Sequence, residues 1–277
     1  NPKLYWKLID SLRNDSVPAN DMSPLDPKEL TEHYVRLLRV TESEENEDQS
    51  VLDNLIAELK QKQIPQSLQR NIETYEVDMA IKKLRNNKAC GLDLVSHEML
   101  KSSSKWIKVP LCKLLNEIYG SGVFPKEWNI GYIVSLLKAG NPSDANNYRG
   151  ITINSALGKV FGIILNTRLE EFLEENCVIK DNQMGFKRKA RTVDHLFIVK
   201  TILDKYVMKG KQCVYACFVD LQKAYDSVWR HGLYYKLLSH NINGKFFDIL
   251  ESMYRSTEMC VKLRSEEHTS ELQSRQY

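Results

Sequence analysis

The 277-residue sequence predicts an α+β fold. Segments with helical spacing of apolar residues are interspersed with short segments in which every second residue is apolar. Long helices mixed with a few strands are typical of the α+β class rather than of an all-helical bundle. The length leaves room for one large domain or two ordinary ones, and no internal repeat is visible.

The first 75 residues are predicted to be helical and peripheral. Asp26 followed by Pro27 is a cap-then-proline start for a helix over 29–38. The acidic, polar segment 41–50 is predicted to be an exposed loop. Helical spacing returns over 51–60, which predicts a second helix.

The next segments predict two longer helices. One begins at Glu76 and ends in the polar run 85–88. The other begins near Ser96 and continues past residue 115, with Pro110 expected to interrupt or kink it.

A β-hairpin is predicted from 130–138 and 148–154, which both alternate apolar and polar residues around the turn at 140–143. Ser155 is positioned to cap the helix that follows, through Phe172.

The remaining elements are a long helix over 193–206, a strand over 214–219 and a helix over 246–254, followed by a short strand over 259–263. The predicted strand over 214–219 ends at Asp220, so a carboxylate stands directly at its end.

Charge is distributed unevenly along the chain. Residues 1–80 carry 9 basic and 16 acidic side chains, whereas residues 81–264 carry 29 and 17. A basic body suits a polyanionic partner, although a solvated lysine-rich surface is the alternative. No apolar run approaches the roughly 18 residues that span a bilayer, and no signal peptide is visible. The six cysteines lack metal-knuckle spacing, so we expect reduced, mostly buried thiols.

The segment 217–230 carries the strongest chemical signal. The predicted strand ends at Asp220, and five residues later Tyr225 stands beside Asp226 where a helical pattern begins. A lone Asp at a strand end is otherwise a cap or turn residue. Carboxylate oxygens are natural ligands of Mg²⁺, which takes one or two acids plus substrate phosphates and keeps several waters. The layout therefore indicates a divalent metal held beside a nucleotide sugar.

This segment resembles motif A of reverse transcriptases, most closely those of non-LTR (LINE-type, jockey-like) retrotransposons. An upstream block at 87–101 resembles the family's N-K-A-P-G-P-D-G-I. Cys90, Leu92 and Leu94 replace the usual Pro, Pro and Gly, while the block's first Gly and its Asp are kept. Because the replacements remove rigid turn residues, a looser backbone is expected there.

A second block, 124–153, resembles the family's fingers hairpin. The resemblance assigns Lys138 and Arg149 to gripping the triphosphate of the incoming dNTP. The chemistry is suitable, because a guanidinium binds phosphate oxygens in a fork and an ammonium acts as a point charge. Taken singly, each cation is better explained as a solvated strand end, and the surrounding N-Y-R-G-I-T reverses that preference.

A third block, 183–195, resembles Q-x-G-F-R…ST-x-D-H and is expected where the fingers meet the template. Outside this context, such a basic run is typical of a solvated face. The nucleic-acid contacts that the resemblance and the charges predict are Gln183, Lys187, Arg188, Lys189 and Arg191.

Within motif A, the resemblance makes Asp220 the catalytic carboxylate that binds both Mg²⁺ ions, and the backbone carbonyl of Leu221 completes a ligand set. It makes Tyr225 a steric gate that packs under the sugar and excludes a 2′-hydroxyl by shape. Asp226 is expected to cap the helix that follows.

The resemblance covers about 75–264 and implies a right-hand polymerase fold with fingers and an incomplete palm. The expected regions are an N-terminal helical extension or linker at 1–75, the start of the fingers at 76–118, fingers and partial palm at 119–264, and an adapter-derived or disordered tail at 265–277. A real polar C-terminal tail is the alternative for the last region.

No Asp-Asp pair occurs in the sequence, so the family's motif C ([FY]-A-D-D) is missing, and so is its motif B. We therefore expect a fragment that is inactive alone, because two-metal catalysis lacks its second carboxylates. Such a palm would leave an unpaired sheet edge and exposed apolar surface.

For the complete protein, the resemblance implies an RNA-directed DNA polymerase of a non-LTR retrotransposon that adds dNTPs to a primer 3′-hydroxyl with Mg²⁺ as cofactor. The expected partners are an RNA template, a DNA primer or target and dNTPs, without a membrane, in the nucleus and cytoplasm. The alternatives are a domesticated, non-catalytic nucleic-acid-binding scaffold, and the polymerase of a group II intron or retroviral-type element.

Overall fold

The computed structural model describes residues 25–38, 47–62, 64–138, 140–180, 182–187, 190–210, 212–221, 224–225, 228–255 and 257–261. These residues form helices around one small mixed sheet, which confirms the predicted α+β class. The predicted tail at 265–277 lies outside the described residues. Within those residues, no helix is both long and apolar enough to cross a bilayer.

The described helices are α1 (Pro27–Leu38), α2 (Glu47–Lys60), α3 (Gln66–Gln69), α4 (Thr74–Lys83), α5 (His97–Ser121), α6 (Lys126–Asn129), α7 (Ala156–Glu175), α8 (Thr192–Leu203), α9 (Arg230–Ser239) and α10 (Lys245–Arg255). The strands are β1 (Ile130–Leu137), β2 (Tyr148–Ile153) and β3 (Glu258–Val261). A 3₁₀ turn at Ala145–Asn147 precedes β2, and a π-helical turn at Asp204–Lys209 continues α8.

The first two helices follow the sequence pattern with one correction. The backbone N–H of Lys28 donates to the Asp26 carboxylate at 3.3 Å, so α1 begins at the predicted cap. Helix α2 begins at Glu47, so the predicted loop over 41–50 is wrong for its last four residues. Acidic side chains at a helix N-terminus are favoured by the helix dipole, which explains why this acidic run starts a helix.

Helix α5 begins at its predicted cap and does not break at its proline. The Ser96 hydroxyl accepts from the N–H of Met99 at 3.0 Å. The helix continues through Pro110 to Ser121, so the predicted interruption is wrong, while the alternative of a kink stays a prediction. Pro110 lacks the N–H that would bond the Trp106 carbonyl in a regular helix, but Pro110 and Trp106 are both exposed. Water can therefore bond that carbonyl.

The sheet has the order β2-β1-β3. The predicted hairpin is confirmed, because β1 and β2 pair antiparallel with Tyr132 opposite Ile153 and Leu137 opposite Tyr148. The predicted short strand near 259–263 is also found, as β3, which pairs parallel to the first half of β1.

The predicted strand over 214–219 is not formed. Residues 212–221 have no regular secondary structure, and no strand pairs with them among the described residues. Tyr215, Phe218 and Val219 are 95%, 88% and 82% exposed. A strand requires a neighbour for its backbone N–H and C=O groups. A run of apolar, β-favouring residues indicates a tendency to form a strand but not the presence of a partner strand.

Helix α8 confirms the predicted helix over 193–206 in type, but its apolar side chains are not buried. Val193, Leu196 and Phe197 are 67%, 64% and 69% exposed. Together, α8 and the segment 212–221 carry many of the exposed apolar side chains of the described residues.

The main core lies among α4, α5, α7 and α10, where Val77, Leu115, Val160 and Phe246 are fully buried. Burial of each such side chain contributes about 1.5–3 kcal/mol. In a second cluster, α1 packs on the hairpin, and in a third α2 packs against α9 and α10. Leu68 of α3 belongs to the main core. Helices of the first 75 residues therefore contribute to all three clusters.

Candidate active site

The β1–β2 hairpin carries the two predicted phosphate-binding cations near its connecting loop. Lys138 follows β1, and its backbone N–H donates to the Asn147 carbonyl at 2.8 Å, so pairing continues past the end of the strand. Arg149 lies in β2 opposite Leu136. Alternate residues of a strand share a face. Lys138 and Arg149 therefore lie on the same face of the hairpin as Leu136, and both are exposed.

The opposite face of the hairpin is covered by α1. The Tyr34 hydroxyl donates to the Ser135 hydroxyl oxygen at 3.0 Å, and burial is the main reason that the pKa of Tyr34 is raised. A Cβ on Gly150 would lie 2.8 Å from the Tyr34 ring, so glycine permits this close approach. Ile133 and Tyr148 are buried beneath the same helix. Helix α1 thus supports the back of the hairpin and leaves its cationic face open to solvent.

The described part of the hairpin loop, 140–147, is held by its own polar groups. The Tyr148 hydroxyl donates to the Pro142 carbonyl at 2.9 Å, and the Asn147 amide donates to the Asn141 carbonyl at 3.0 Å. The Asp144 carboxylate accepts from the N–H of Asn146 at 2.9 Å. These bonds restrict the backbone between the two cations.

The motif A residues lie in the extended segment described above. Leu221 and Tyr225 are 73% and 80% exposed, and the Asp220 side chain is exposed as well. No hydrogen bond or ion pair joins Asp220 to Lys138 or Arg149 in the described part of the chain. The roles assigned to Asp220, Leu221 and Tyr225 stay predictions, and the predicted cap Asp226 lies outside the described residues.

The side chains of the third block, 183–195, differ in their exposure to solvent. Gln183 and Arg191 are exposed, and Lys187 is half-buried. The N–H of Arg191 donates to the Asp194 carboxylate at 2.8 Å, at the start of α8. Arg188 and Lys189 lie outside the described residues. The predicted nucleic-acid contacts of this block stay predictions.

The donor groups present around Asp220 suit Mg²⁺ in kind but supply only part of a ligand set. An exposed carboxylate and the neighbouring Leu221 carbonyl are hard oxygen donors of the type that Mg²⁺ takes alongside water and phosphate oxygens. Over the ranges that the structure describes, there is no group of three or more His, Cys, Asp or Glu side chains that would hold a metal ion.

The burial of the cysteines differs from the prediction. All six are free, and Cys177, Cys213 and Cys217 are exposed. Only Cys112 and Cys260 are buried, and burial raises the pKa of both thiols.

Sequence reasoning missed Arg168, whose side chain is 1% exposed and ion-paired within the core. A signal was present in the sequence. Position 168 continues the apolar spacing of α7 from Ile164 and Leu165 to Phe172, so an arginine stands where a core residue is expected.

The sequence profile described as "Reverse transcriptase (RNA-dependent DNA polymerase)" matches residues 137–276. The chain belongs to this family. The match covers half of the chain and includes Lys138, Arg149, Asp220 and Tyr225. The predicted α+β reverse transcriptase domain is therefore confirmed at the level of the family.

Three of the similar proteins are described as RNA-directed DNA polymerases of Drosophila mobile elements. The protein named "Probable RNA-directed DNA polymerase from transposon BS" of Drosophila melanogaster is 29% identical over 196 residues, which are 70% of this chain and 21% of the relative. The protein of the same description from transposon X-element, also of D. melanogaster, is 28% identical over 74% of this chain and 23% of its own length.

The "RNA-directed DNA polymerase from mobile element jockey" of Drosophila funebris is 29% identical over 67% of this chain and 20% of its own length. The predicted likeness to jockey-like elements is confirmed. The chain spans about a fifth of the length of these relatives.

Proposed function

We propose that this chain is part of an RNA-directed DNA polymerase of a non-LTR retrotransposon, which extends a DNA primer on an RNA template. The observation that carries the proposal is the shared exposed face of Lys138 and Arg149 on a hairpin supported from behind by α1. In this proposal the hairpin belongs to the fingers, and the segment around Asp220 belongs to the palm.

The two cations suit a triphosphate for different reasons. The Arg149 guanidinium presents a planar fork to two phosphate oxygens, and the Lys138 ammonium adds a point charge without a fixed geometry. Leu136 and Ile151 lie on the same face and are 49% and 42% exposed. They offer an apolar surface beside the charged groups, which suits a ligand with both a phosphate chain and a flat base.

Asp220 and the Leu221 carbonyl would hold Mg²⁺ against the phosphates of the bound nucleotide. A metal held there would supply charge stabilisation for an in-line displacement at the α-phosphate. The ring of Tyr225 fills the space that a ribose 2′-hydroxyl would require, so a deoxyribose is accepted and a ribose is excluded. The sequence holds no Asp-Asp pair, so the remaining acids of a two-metal site would come from other parts of the complete polymerase.

The proposal is tested by primer extension with the complete polymerase that contains this chain. With a poly(rA) template, an oligo(dT) primer, dTTP and Mg²⁺, we expect extension by the wild type. Loss of the Asp220 carboxylate in Asp220→Ala should lower kcat roughly a thousandfold, because several kcal/mol of transition-state stabilisation correspond to about three powers of ten.

Glu117→Ala is the matched control, because Glu117 is an exposed acid on α5 and is not one of the predicted site residues. It should retain wild-type extension. Retention of full activity by Asp220→Ala would refute the catalytic assignment. Binding of RNA without any extension by the wild type would favour the non-catalytic scaffold instead.

A further inference from the structure

The loop 90–93, which precedes α5, lies against the base of the β1–β2 hairpin, at the end opposite to the two cations. The hydroxyl of Tyr132 in β1 donates to the Cys90 carbonyl at 2.8 Å. Burial raises the pKa of Tyr132, so the hydroxyl remains a donor at ordinary pH. One strand of the hairpin is thereby bonded to the loop.

Gly91 brings the backbone of this loop onto the end of β2. A Cβ at this position would lie 2.9 Å from the Ser155 backbone nitrogen and 3.0 Å from the Asn154 carbonyl carbon. Backbone atoms of a capped helix start cannot give way as a flexible side chain can. The close approach therefore requires glycine at residue 91.

Asp93 links the loop to the junction between β2 and α7. Its Oδ2 accepts from the Ser155 hydroxyl at 2.7 Å, and its Oδ1 accepts from the N–H of Val95 at 3.1 Å. The Ser155 oxygen itself accepts from the first N–H groups of α7, those of Leu157 at 3.2 Å and Gly158 at 3.4 Å. One carboxylate thus holds the loop, the exit of the hairpin and the start of a core helix together, near the positive end of the α7 dipole.

We propose that Asp93 is a positioning residue: with Gly91 it fixes the base of the hairpin on the helical core, and so sets where Lys138 and Arg149 meet a nucleotide. The nucleotide part of this inference rests on the proposed function. The attachment of the hairpin does not depend on it.

The length of the hairpin explains why its base matters. At about 3.3 Å per residue, the strand from Tyr132 to Lys138 separates the base from the cations by about 20 Å. A rotation of about 3° at the base would move the cations by about 1 Å over that length. A displacement of about 1 Å in a positioning group can cost on the order of a hundredfold in rate.

Two other contacts share the support of the hairpin. Strand β3 pairs with β1 at the base, and α1 packs on the back face. The Asp93 carboxylate acts at the end of β2, whereas β3 pairs with β1 and α1 covers the back face. Removal of the Asp93 carboxylate should therefore loosen the hairpin, most of all at β2, without unfolding the core.

The test uses the 277-residue chain and two readouts for Asp93→Ala. Hydrogen exchange measured by mass spectrometry should show amides of the hairpin and the start of α7 exchanging on the order of tenfold faster, while α4, α5 and α10 are unchanged. Equilibrium binding of dTTP with Mg²⁺ should weaken on the order of tenfold. Asp93→Asn keeps an oxygen that can accept from Ser155 and should recover most of both losses.

Asp78→Ala is a matched control. Asp78 on α4 also accepts from a serine hydroxyl, that of Ser104 on α5, at 3.3 Å. It should leave the hairpin exchange and dTTP binding unchanged. Gly91→Ala is a second variant that displaces the same loop without touching the carboxylate, and it should reproduce the faster exchange of the hairpin.

Unchanged exchange of the hairpin in Asp93→Ala would overturn the inference, and so would faster exchange throughout the core, which would make Asp93 a general stabilising residue. Arg149→Ala separates this inference from the proposed function. If the hairpin loosens in Asp93→Ala but neither the wild type nor Arg149→Ala binds dTTP, the attachment stands and the nucleotide site fails.

Discussion

Arg168 of α7 donates through Nε and Nη2 to the two carboxylate oxygens of Glu76 in α4, at 2.8 Å each. Its Nη1 and Nη2 also donate to the backbone carbonyls of Arg70 at 2.7 Å and Asn71 at 2.8 Å. The side chains of Arg168 and Glu76 are 1% and 9% exposed. This bidentate pair fastens α7, the helix that follows the hairpin, to α4 and to the segment before it.

Arg168→Met should lower the free energy of unfolding by about 3 kcal/mol, because the buried Glu76 carboxylate loses its bidentate partner and, of its ion pairs, keeps the longer one with Arg70 at 3.5 Å. Urea denaturation followed by circular dichroism measures the change. The double variant Arg168→Met/Glu76→Gln should recover much of the loss. Lys82→Met, which breaks the exposed pair with Asp78, is the control and should cost less than about 1 kcal/mol. Equal effects of the two single variants would contradict this account.

The same pair predicts a loss of stability in acid. Burial alone would raise the pKa of Glu76, but hydrogen bonds from Arg168 and from the Glu73 N–H outweigh it and hold the pKa below its ordinary value of 4.5. The folded protein therefore binds this proton less readily than the unfolded chain. The stabilisation is complete above about pH 4.5 and is lost as the pH falls through the folded pKa.

Urea denaturation between pH 6 and pH 3 tests this dependence. The free energy of unfolding should fall toward pH 3, and Glu76→Gln should reduce the slope of that fall. An identical slope in Glu76→Gln would show that other carboxylates cause the acid sensitivity.

Leu94 predicts a stabilising substitution. Its φ is 55°, in the left-handed region. It stands where the family block N-K-A-P-G-P-D-G-I has its second Gly. Its side chain is 76% exposed, so little packing would be lost on truncation. Leu94→Gly should raise the free energy of unfolding by about 0.5–1 kcal/mol, measured by urea denaturation.

Leu92→Gly is the control for Leu94→Gly. Leu92 is also exposed and lies in the same turn, but it has no positive φ. Glycine there should lower the stability by about 0.5–1 kcal/mol through the entropy of the unfolded chain. The same sign for both substitutions would argue against strain at Leu94.

Tyr225→Ala should weaken the preference of the complete polymerase for dNTPs over rNTPs by about a hundredfold, because the ring no longer occupies the space of a 2′-hydroxyl. The ratio of kcat/KM for dTTP and UTP measures the effect. Tyr215→Ala removes another exposed tyrosine of the same segment and should leave the ratio unchanged. A Tyr225→Ala enzyme that still rejects UTP would remove the steric gate from the proposal.

The exposed apolar side chains of α8 predict self-association of the chain at concentrations of roughly tens of micromolar or above, since exposed apolar patches promote association. Phe197→Glu should raise the monomer fraction in size-exclusion chromatography with light scattering. Met79→Glu places the same charge at an exposed apolar position of α4 and should have little effect. Association unaffected by Phe197→Glu would assign it to another surface.

Much of the local structure could be predicted, because it depends on residues that are neighbours in the chain. The cap at Ser96, the cap at Ser155 and the β1–β2 hairpin are each encoded within a few residues by a side-chain acceptor or by alternation. The family could be predicted for a related reason, since its motifs are short and ordered along the chain. The shared face of Lys138 and Arg149, by contrast, depends on the pairing register of β1 and β2, which only the structure gives.

Contacts between distant residues were decided only by the tertiary structure. Asp93 meets Ser155 across 62 positions, and Arg168 meets Glu76 across 92. Residues 214–219 are an apolar, β-favouring run but have no described neighbour to pair with, and no element among the described residues covers the apolar side chains of α8. The tendency of a segment to form a strand or helix is a property of its own residues. Pairing and burial depend on which other parts of the chain arrive beside it, and a local pattern does not contain that information.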